Sequence, residues 1–167
     1  MASMYQISIP VYVRRLNGLL GCLKKAQALY ADKKYDETSL INQRLFPDMF
    51  AFVKQVQAAT DHARNSGARL AGMEPPVVDA NEKSIADLIA RVEKTVAFLG
   101  TIKPEQIDGS EDKTISFQMR GNDVSYKGLD FLLNSNMPNF YFHMTTAYNI
   151  LRTNGVEIGK RDFMGPA

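Results

Sequence analysis

The sequence predicts an all-α fold, a four-helix bundle with a small β-hairpin inserted before the last helix. Three observations carry this. Four long segments repeat apolar residues at three- and four-residue steps, the spacing of an amphipathic helix. One stretch, between Lys113 and Lys127, switches to two-residue alternation. Gly- and Pro-containing breaks separate these segments. At 167 residues, with 45% hydrophobic and 23% charged side chains, residues 1–167 read as one domain of ordinary globular composition.

The first helix is expected from about Met4 to about Ala31, with Tyr12, Leu16, Leu19, Leu20, Leu23, Ala26 and Tyr30 on its buried face. Pro10 either bends its first turns or marks the true start after Ser8. Gly18 and Gly21 allow a close crossing, and Lys33-Lys34-Tyr35-Asp36 forms the exit loop. A second helix is expected to open at Phe46-Pro47-Asp48, because Pro suits a first turn and an early Asp suits the helix dipole. Its stripe is Met49, Val53, Val56, Thr60, Ala63, Gly67 and Leu70, and Gly72 with Pro75-Pro76 ends it.

The third helix spans about Ile85 to Gly100. Ser84 and Asp87 form a capping box in front of the stripe Ile85, Leu88, Ile89, Val92, Val96 and Leu99. Pro104 to Ile107 adds one short turn. Thr114 to Met119 and Val124 to Tyr126 alternate as strands around the turn Arg120-Gly121-Asn122-Asp123. Such a hairpin is marginal alone and must pack on the helices. A short helix, Leu129 to Asn134, leads to an aromatic-rich helix that starts behind Pro138 and ends at Asn154-Gly155. The tail Glu157 to Met164 carries Phe163 and Met164 as anchors and is expected to dock rather than fray.

Several function classes are excluded at this level. The net charge is +2 and the basic residues are scattered, so no nucleic-acid-binding face is expected. No apolar run approaches the roughly 20 residues of a spanning helix, and Arg14-Arg15 interrupts the N-terminal apolar stretch, so neither a membrane span nor a secretory signal is expected. Cys22 is the single cysteine. It lies among leucines and reads as a buried, inert thiol, consistent with a cytoplasmic protein. The sequence has no phosphate-cradling glycine motif and no nucleophile elbow.

Three segments resemble a group of bacterial proteins in the DinB/YfiT-like four-helix-bundle superfamily, a branch catalogued as a domain of unknown function. They are Arg44-Leu45-Phe46-Pro47-Asp48-Met49-Phe50, Ala59-Thr60-Asp61-His62-Ala63, and Pro138-Asn139-Phe140-Tyr141-Phe142-His143 through Lys160-Arg161-Asp162-Phe163. The resemblance implies a bundle that is often a homodimer. In the wider superfamily it implies a divalent metal held by three histidines, which some members use to activate a low-molecular-weight thiol.

The residues do not reproduce that metal site. The chain has two histidines, His62 and His143, and the positions four away from His143 are Asn139 and Ala147. At about 100° per residue, His143 faces the core, with Asn139 and Thr146 as polar neighbours. The same rule places His62 outward, near Gln55 and Asn65, so that the two histidines do not meet. Gln57 lies toward the inner face and is the better candidate to line a pocket with His143. Tyr141 and Tyr148 lie opposite His143, which calls for a second buried surface supplied by the tail, the hairpin or a partner.

The expected function is a non-catalytic or small-molecule-binding bundle whose ancestral metal site has been lost, with no cofactor. One alternative is a zinc- or nickel-dependent thiol-type transferase, with His143 and, less favoured, His62 as ligands. The other is an interaction protein acting through a homodimer surface.

Overall fold

The computed structural model describes residues 2–119 and 121–166. Its frame is four long helices. Helix α1 spans Ile9–Lys33, α3 Phe52–Leu70, α4 Ile85–Thr101 and α7 Met137–Thr153, with a one-turn α2, Glu37–Ile41, after α1. Short α5 (Pro104–Ile107) leads into a hairpin of β1 (Thr114–Met119) and β2 (Asn122–Lys127). A single α-helical turn, α6 (Gly128–Asp130), and a π-helical stretch, Phe131–Asn136, then run directly into α7, and α8 (Lys160–Met164) ends the described chain. Among the described residues no helix is long and apolar enough to cross a membrane.

Helix α3 packs on α7 along one side and on α4 along another, while α1 packs on α4 and α7. The core between them is apolar and fully buried, with Leu16, Leu23, Phe52, Val56, Leu88, Phe140 and Ile150 all at 0% exposure. Tyr12 meets Phe140 edge-on, ring centroids 4.9 Å apart, tying α1 to α7.

Most elements follow from local chemistry. Helix α1 begins at Ile9 rather than at Met4, with Pro10 in its first turn, and Lys34 ends it in the left-handed conformation at φ 54°. Ser84 and Asp87 form the full capping box of α4. In the hairpin, Thr114 pairs with Lys127 and Met119 with Asn122, so Asn122 and Asp123 belong to the second strand rather than to the turn. Gly121 takes φ +80° to close that turn. Arg120, placed in the turn by the sequence, lies outside the described residues. The hairpin packs through Phe117 and Tyr126 against Phe131, and Arg69 covers the Phe117 ring at 3.9 Å.

Two further boundaries differ from the sequence reading. Helix α3 starts at Phe52, not at Pro47. Residues 42–51 instead fold into a knot of turns: Met49 N–H donates to Phe46 O at 3.0 Å, and Phe52 N–H donates to Gln43 O at 2.8 Å. Pro47 therefore sits in a turn, a role its fixed φ serves equally well. The second difference is at Pro138, which does not separate two helices. The π-helical stretch widens the turns just before it, so the chain passes from α6 to α7 without a break.

The tail docks as expected. Lys25 Nζ lies 2.7 Å from Asp162 Oδ1, Phe163 meets Tyr148 edge-on at 5.7 Å, and Arg15 donates to Met164 O. Phe163 is the anchor, partly buried against the core, while Met164 remains 36% exposed. Tyr148 thus finds its second surface in the tail. Gly18 makes the docking possible, because a Cβ there would lie 2.7 Å from Phe163 O and 2.8 Å from Asp162 O. Gly21, one turn on, faces open space.

These two glycines separate a packing effect from a propensity effect. Gly18→Ala is expected to lower stability by about 1–3 kcal/mol through overpacking against backbone and to expose the tail to proteolysis. Gly21→Ala is expected to raise stability by about 0.5–1 kcal/mol. Urea titration of both variants checks the opposite signs.

Candidate functional site

Helix α3 carries two polar stripes, one on each buried side. Gln55, Ala59, His62 and Ser66, spaced four, three and four apart, run along the side that meets α7. Thr60, Asp61 and Arg64 run along the side that meets α4. The sequence reading assumed a single inward face, which is why it turned His62 outward. In the folded chain His62 is largely buried and its ring lies against His143, centroids 5.7 Å apart and planes 16° apart.

A hydrogen-bonded chain holds this pair. Tyr12 Oη donates to Asn136 Oδ1 at 2.7 Å and lies 3.1 Å from Ser66 Oγ. With its oxygen so engaged, Asn136 presents Nδ2 to His62 Nδ1 at 3.5 Å. His62 Nδ1 is then the acceptor, and its proton sits on Nε2. On the other ring, His143 Nδ1 lies 2.8 Å from Gln55 Oε1. Gln55 Nε2 donates to Phe50 O at 3.1 Å, which fixes that amide's orientation. His143 therefore donates from Nδ1 and keeps its lone pair on Nε2. The two imidazoles are held in opposite tautomers. No other described residue bonds either Nε2, so the pair offers one free donor and one free acceptor.

Placement of Asn136 depends on the π-helical stretch. Such stretches are uncommon and often mark sites. Here Asn136 is its last residue and is 3% exposed, turned into the core between Tyr12 and His62. Two aromatic rings flank His143 on the solvent side. Phe50 lies nearly parallel to it at 6.2 Å, and Phe142 meets it edge-on at 5.3 Å. Both are exposed, Phe50 at 49% and Phe142 at 56%.

The surroundings keep both rings neutral. Burial, reinforced by the neighbouring His143, pushes the His62 pKa down to about 4. Burial also lowers that of His143. The Tyr12 phenol is pushed upward by burial and stays a donor. Cys22 is buried and its thiol is pushed up to about 11, first by burial, which matches an inert thiol.

The remaining expected pocket residues fall elsewhere. Asn139 is exposed and donates to Ser135 O at 2.7 Å, so it does not line a site with His143. Thr146 is buried, but its hydroxyl donates to Phe142 O one turn back. Gln57 is also buried, on the α4 side, where it donates to Glu82 Oε2 at 2.7 Å. Its place beside His143 is taken by Gln55, which the sequence reading put on the outer face. The four-three-four spacing from Gln55 to Ser66 was the available signal. The inward turn of Asn136 had none.

Residues 4–164 match a family described as "Domain of unknown function (DUF1993)". The chain belongs to the DUF1993 family. No curated protein matches it. A solved structure, the crystal structure of a DinB family member protein from Shewanella denitrificans, is similar at 34% sequence identity and a TM-score of 0.86, covering 98% of this chain and 92% of that one. The DUF1993 chain therefore has a DinB-like fold, as the sequence resemblance implied.

A three-histidine metal site does not fit this DUF1993 chain. The position four residues beyond His143 is Ala147, fully buried in the core. Among the described residues no three His, Cys, Asp or Glu side chains cluster as a metal site requires. As the tautomers stand, one Nε2 lone pair is available rather than two.

The pH dependence of stability tests the neutral pair. An unfolded histidine titrates near pH 6.5, while folded His62 resists protonation down to about pH 4. Between those values the unfolded chain binds more protons, so stability rises with pH across this window and levels off above it. His62 alone is expected to contribute roughly 2 kcal/mol of that rise after allowance for its partial exposure. Urea midpoints for the wild type and His62→Gln across the window check this. A wild-type profile no steeper than the variant's refutes it.

Proposed function

We propose that this protein works by binding rather than by metal chemistry, and that its site is the His62–His143 pair flanked by Phe50 and Phe142. The opposite tautomers of the two imidazoles carry the reading. Together they offer one N–H donor and one lone-pair acceptor, both uncharged. A neutral ligand that carries an acceptor and a donor side by side, such as an amide, complements them, and its apolar part can lie against the two phenyl rings. A charged ligand gains no ion pair from neutral imidazoles. The lost third histidine and the buried Ala147 support the same conclusion, that this is a DinB-like bundle with a degenerate metal centre.

Two measurements test it. Untagged protein is expected to carry far less than one zinc or nickel per chain, and a stoichiometric metal removed together with His143 would overturn the reading in favour of a metal-dependent transferase. In a fragment titration followed by NMR, neutral amides are expected to shift the His62 and His143 ring signals more than the matching acids and amines do. His143→Ala is expected to abolish those shifts while leaving the circular dichroism unchanged.

A homodimer is the second reading, supported by the exposure of Phe50 and Phe142 beside the site. It predicts a dimer by light scattering at micromolar concentration and a shift toward monomer in Phe142→Ser. A monomeric wild type rules it out.

A further inference from the structure

The two imidazoles of the pair receive their tautomers in different ways. His143 is fixed locally. Gln55 spends its Nε2–H on the backbone oxygen of Phe50 at 3.1 Å, so its Oε1 is what faces His143 Nδ1 at 2.8 Å. A backbone carbonyl accepts and never donates, so this amide has one orientation. His62 is fixed at a distance, through a chain built from the side chains of Ser66, Tyr12 and Asn136, all buried. A hydroxyl both donates and accepts, and an amide can turn over. The chain therefore has two polarities in which every contact sets a donor against an acceptor.

In the first polarity Ser66 donates to Tyr12, Tyr12 donates to Asn136 Oδ1, and Asn136 Nδ2 donates to His62 Nδ1, which leaves the His62 proton on Nε2. In the second, Tyr12 donates to Ser66, and Asn136 turns over and donates back to Tyr12. Its oxygen then accepts from a protonated His62 Nδ1, and His62 Nε2 carries a lone pair. Tyr12 has one hydroxyl proton and decides between the two. Its Oη lies 2.7 Å from Asn136 Oδ1 and 3.1 Å from Ser66 Oγ, and the shorter contact takes the proton. The outcome is legible from outside. Both Nε2 atoms reach the molecular surface, since neither is one of the buried, unpartnered side-chain atoms among the described residues. The first polarity offers a ligand one donor and one acceptor, and the second offers it two acceptors.

We infer that Tyr12 is a positioning residue for the histidine pair. Buried in α1 and out of reach of any ligand, it holds Asn136 in one orientation and fixes the His62 proton on Nε2. It thereby makes the site select ligands that carry one acceptor and one donor. This role rests on the reading that the pair binds a ligand, and extends control of that site to a third helix. Releasing the chain gives the second polarity, which suits a ligand with two donors, such as a primary ammonium group.

The test reads the histidine ring nitrogens by NMR in isotope-labelled, ligand-free, full-length protein at neutral pH. In the wild type His62 is expected to carry its proton on Nε2 and His143 on Nδ1. Tyr12→Phe keeps the edge contact with Phe140 but leaves Asn136 Oδ1 buried without a donor. It is expected to move the tautomer ratio of His62 about tenfold or more toward Nδ1–H, with His143 unchanged. Ser66→Ala removes the competing partner of Tyr12 and is expected to leave His62 as in the wild type, which separates positioning from a general loosening of the core. Asn136→Asp, whose carboxylate accepts and does not donate, is expected to put a proton on His62 Nδ1, and it decides the matter should Tyr12→Phe not fold. The inference fails if Tyr12→Phe leaves the His62 nitrogens unchanged, if Ser66→Ala moves them as far, or if Asn136→Asp leaves Nδ1 bare. Titration with acetamide and methylammonium separates it from the ligand reading. In Tyr12→Phe the preference for acetamide is expected to fall about threefold or more. A wild type that binds no amide, while Tyr12→Phe still moves the proton, sinks the ligand reading alone. An amide-binding wild type whose His62 proton ignores Tyr12 sinks the positioning role alone.

Discussion

Everything in this bundle is arranged around the double burial of α3. A helix with one wet face can leave its polar residues to water. Helix α3 packs on α7 and on α4, and buries Gln55, Gln57, Thr60, Arg64 and Ser66 between them. Each such group costs free energy unless it finds a partner. The fold supplies partners from different elements: His143 from α7, Tyr12 from α1, and Arg91 and Glu82 from α4 and the segment before it. Removing α3's polar residues would leave a conventional apolar bundle. Keeping them obliges the rest of the chain to converge on this helix.

The two sides are satisfied by different physics. Toward α7 the network is uncharged, a phenol, two amides, a hydroxyl and two imidazoles whose protonation burial suppresses. Toward α4 it is ionic, with Arg91 binding Asp61 and Glu82 and donating to a loop carbonyl. Burial tends to raise the Glu82 pKa, but hydrogen bonds from Arg91 and Gln57 outweigh it and hold the carboxyl below its ordinary value. The ionic side also fastens the irregular 72–84 segment, which has few other anchors. One helix thus separates a neutral network from a charged one by its own width.

Much of this was legible in the sequence because it is local. The capping box at Ser84, the hairpin and the buried Cys22 each follow from a few neighbouring residues. The failures were of two kinds. Pro47 was read as a helix start because Pro suits a turn and a first helical turn alike, and only the hydrogen bond from Phe52 to Gln43 distinguishes them. His62 was turned outward because a helical wheel with one apolar stripe has one inside. A helix flanked on two sides has two, and its second stripe, Gln55 to Ser66, is polar and looks like surface.

The sequence by itself determined the number and character of the long helices, the hairpin, the docking tail and the absence of a third histidine. Those depend on periodicity, capping and residue identity, which are properties of the chain read in order. Only the tertiary structure decided that His62 meets His143, that Gln55 rather than Gln57 holds the pair, and that Arg64 and Arg91 share Asp61. These depend on which side of α3 each neighbour covers and on the π-helical stretch that turns Asn136 inward. A local pattern such as the Gln55-to-Ser66 spacing offers a second stripe, but the choice is made by packing between elements far apart in the chain.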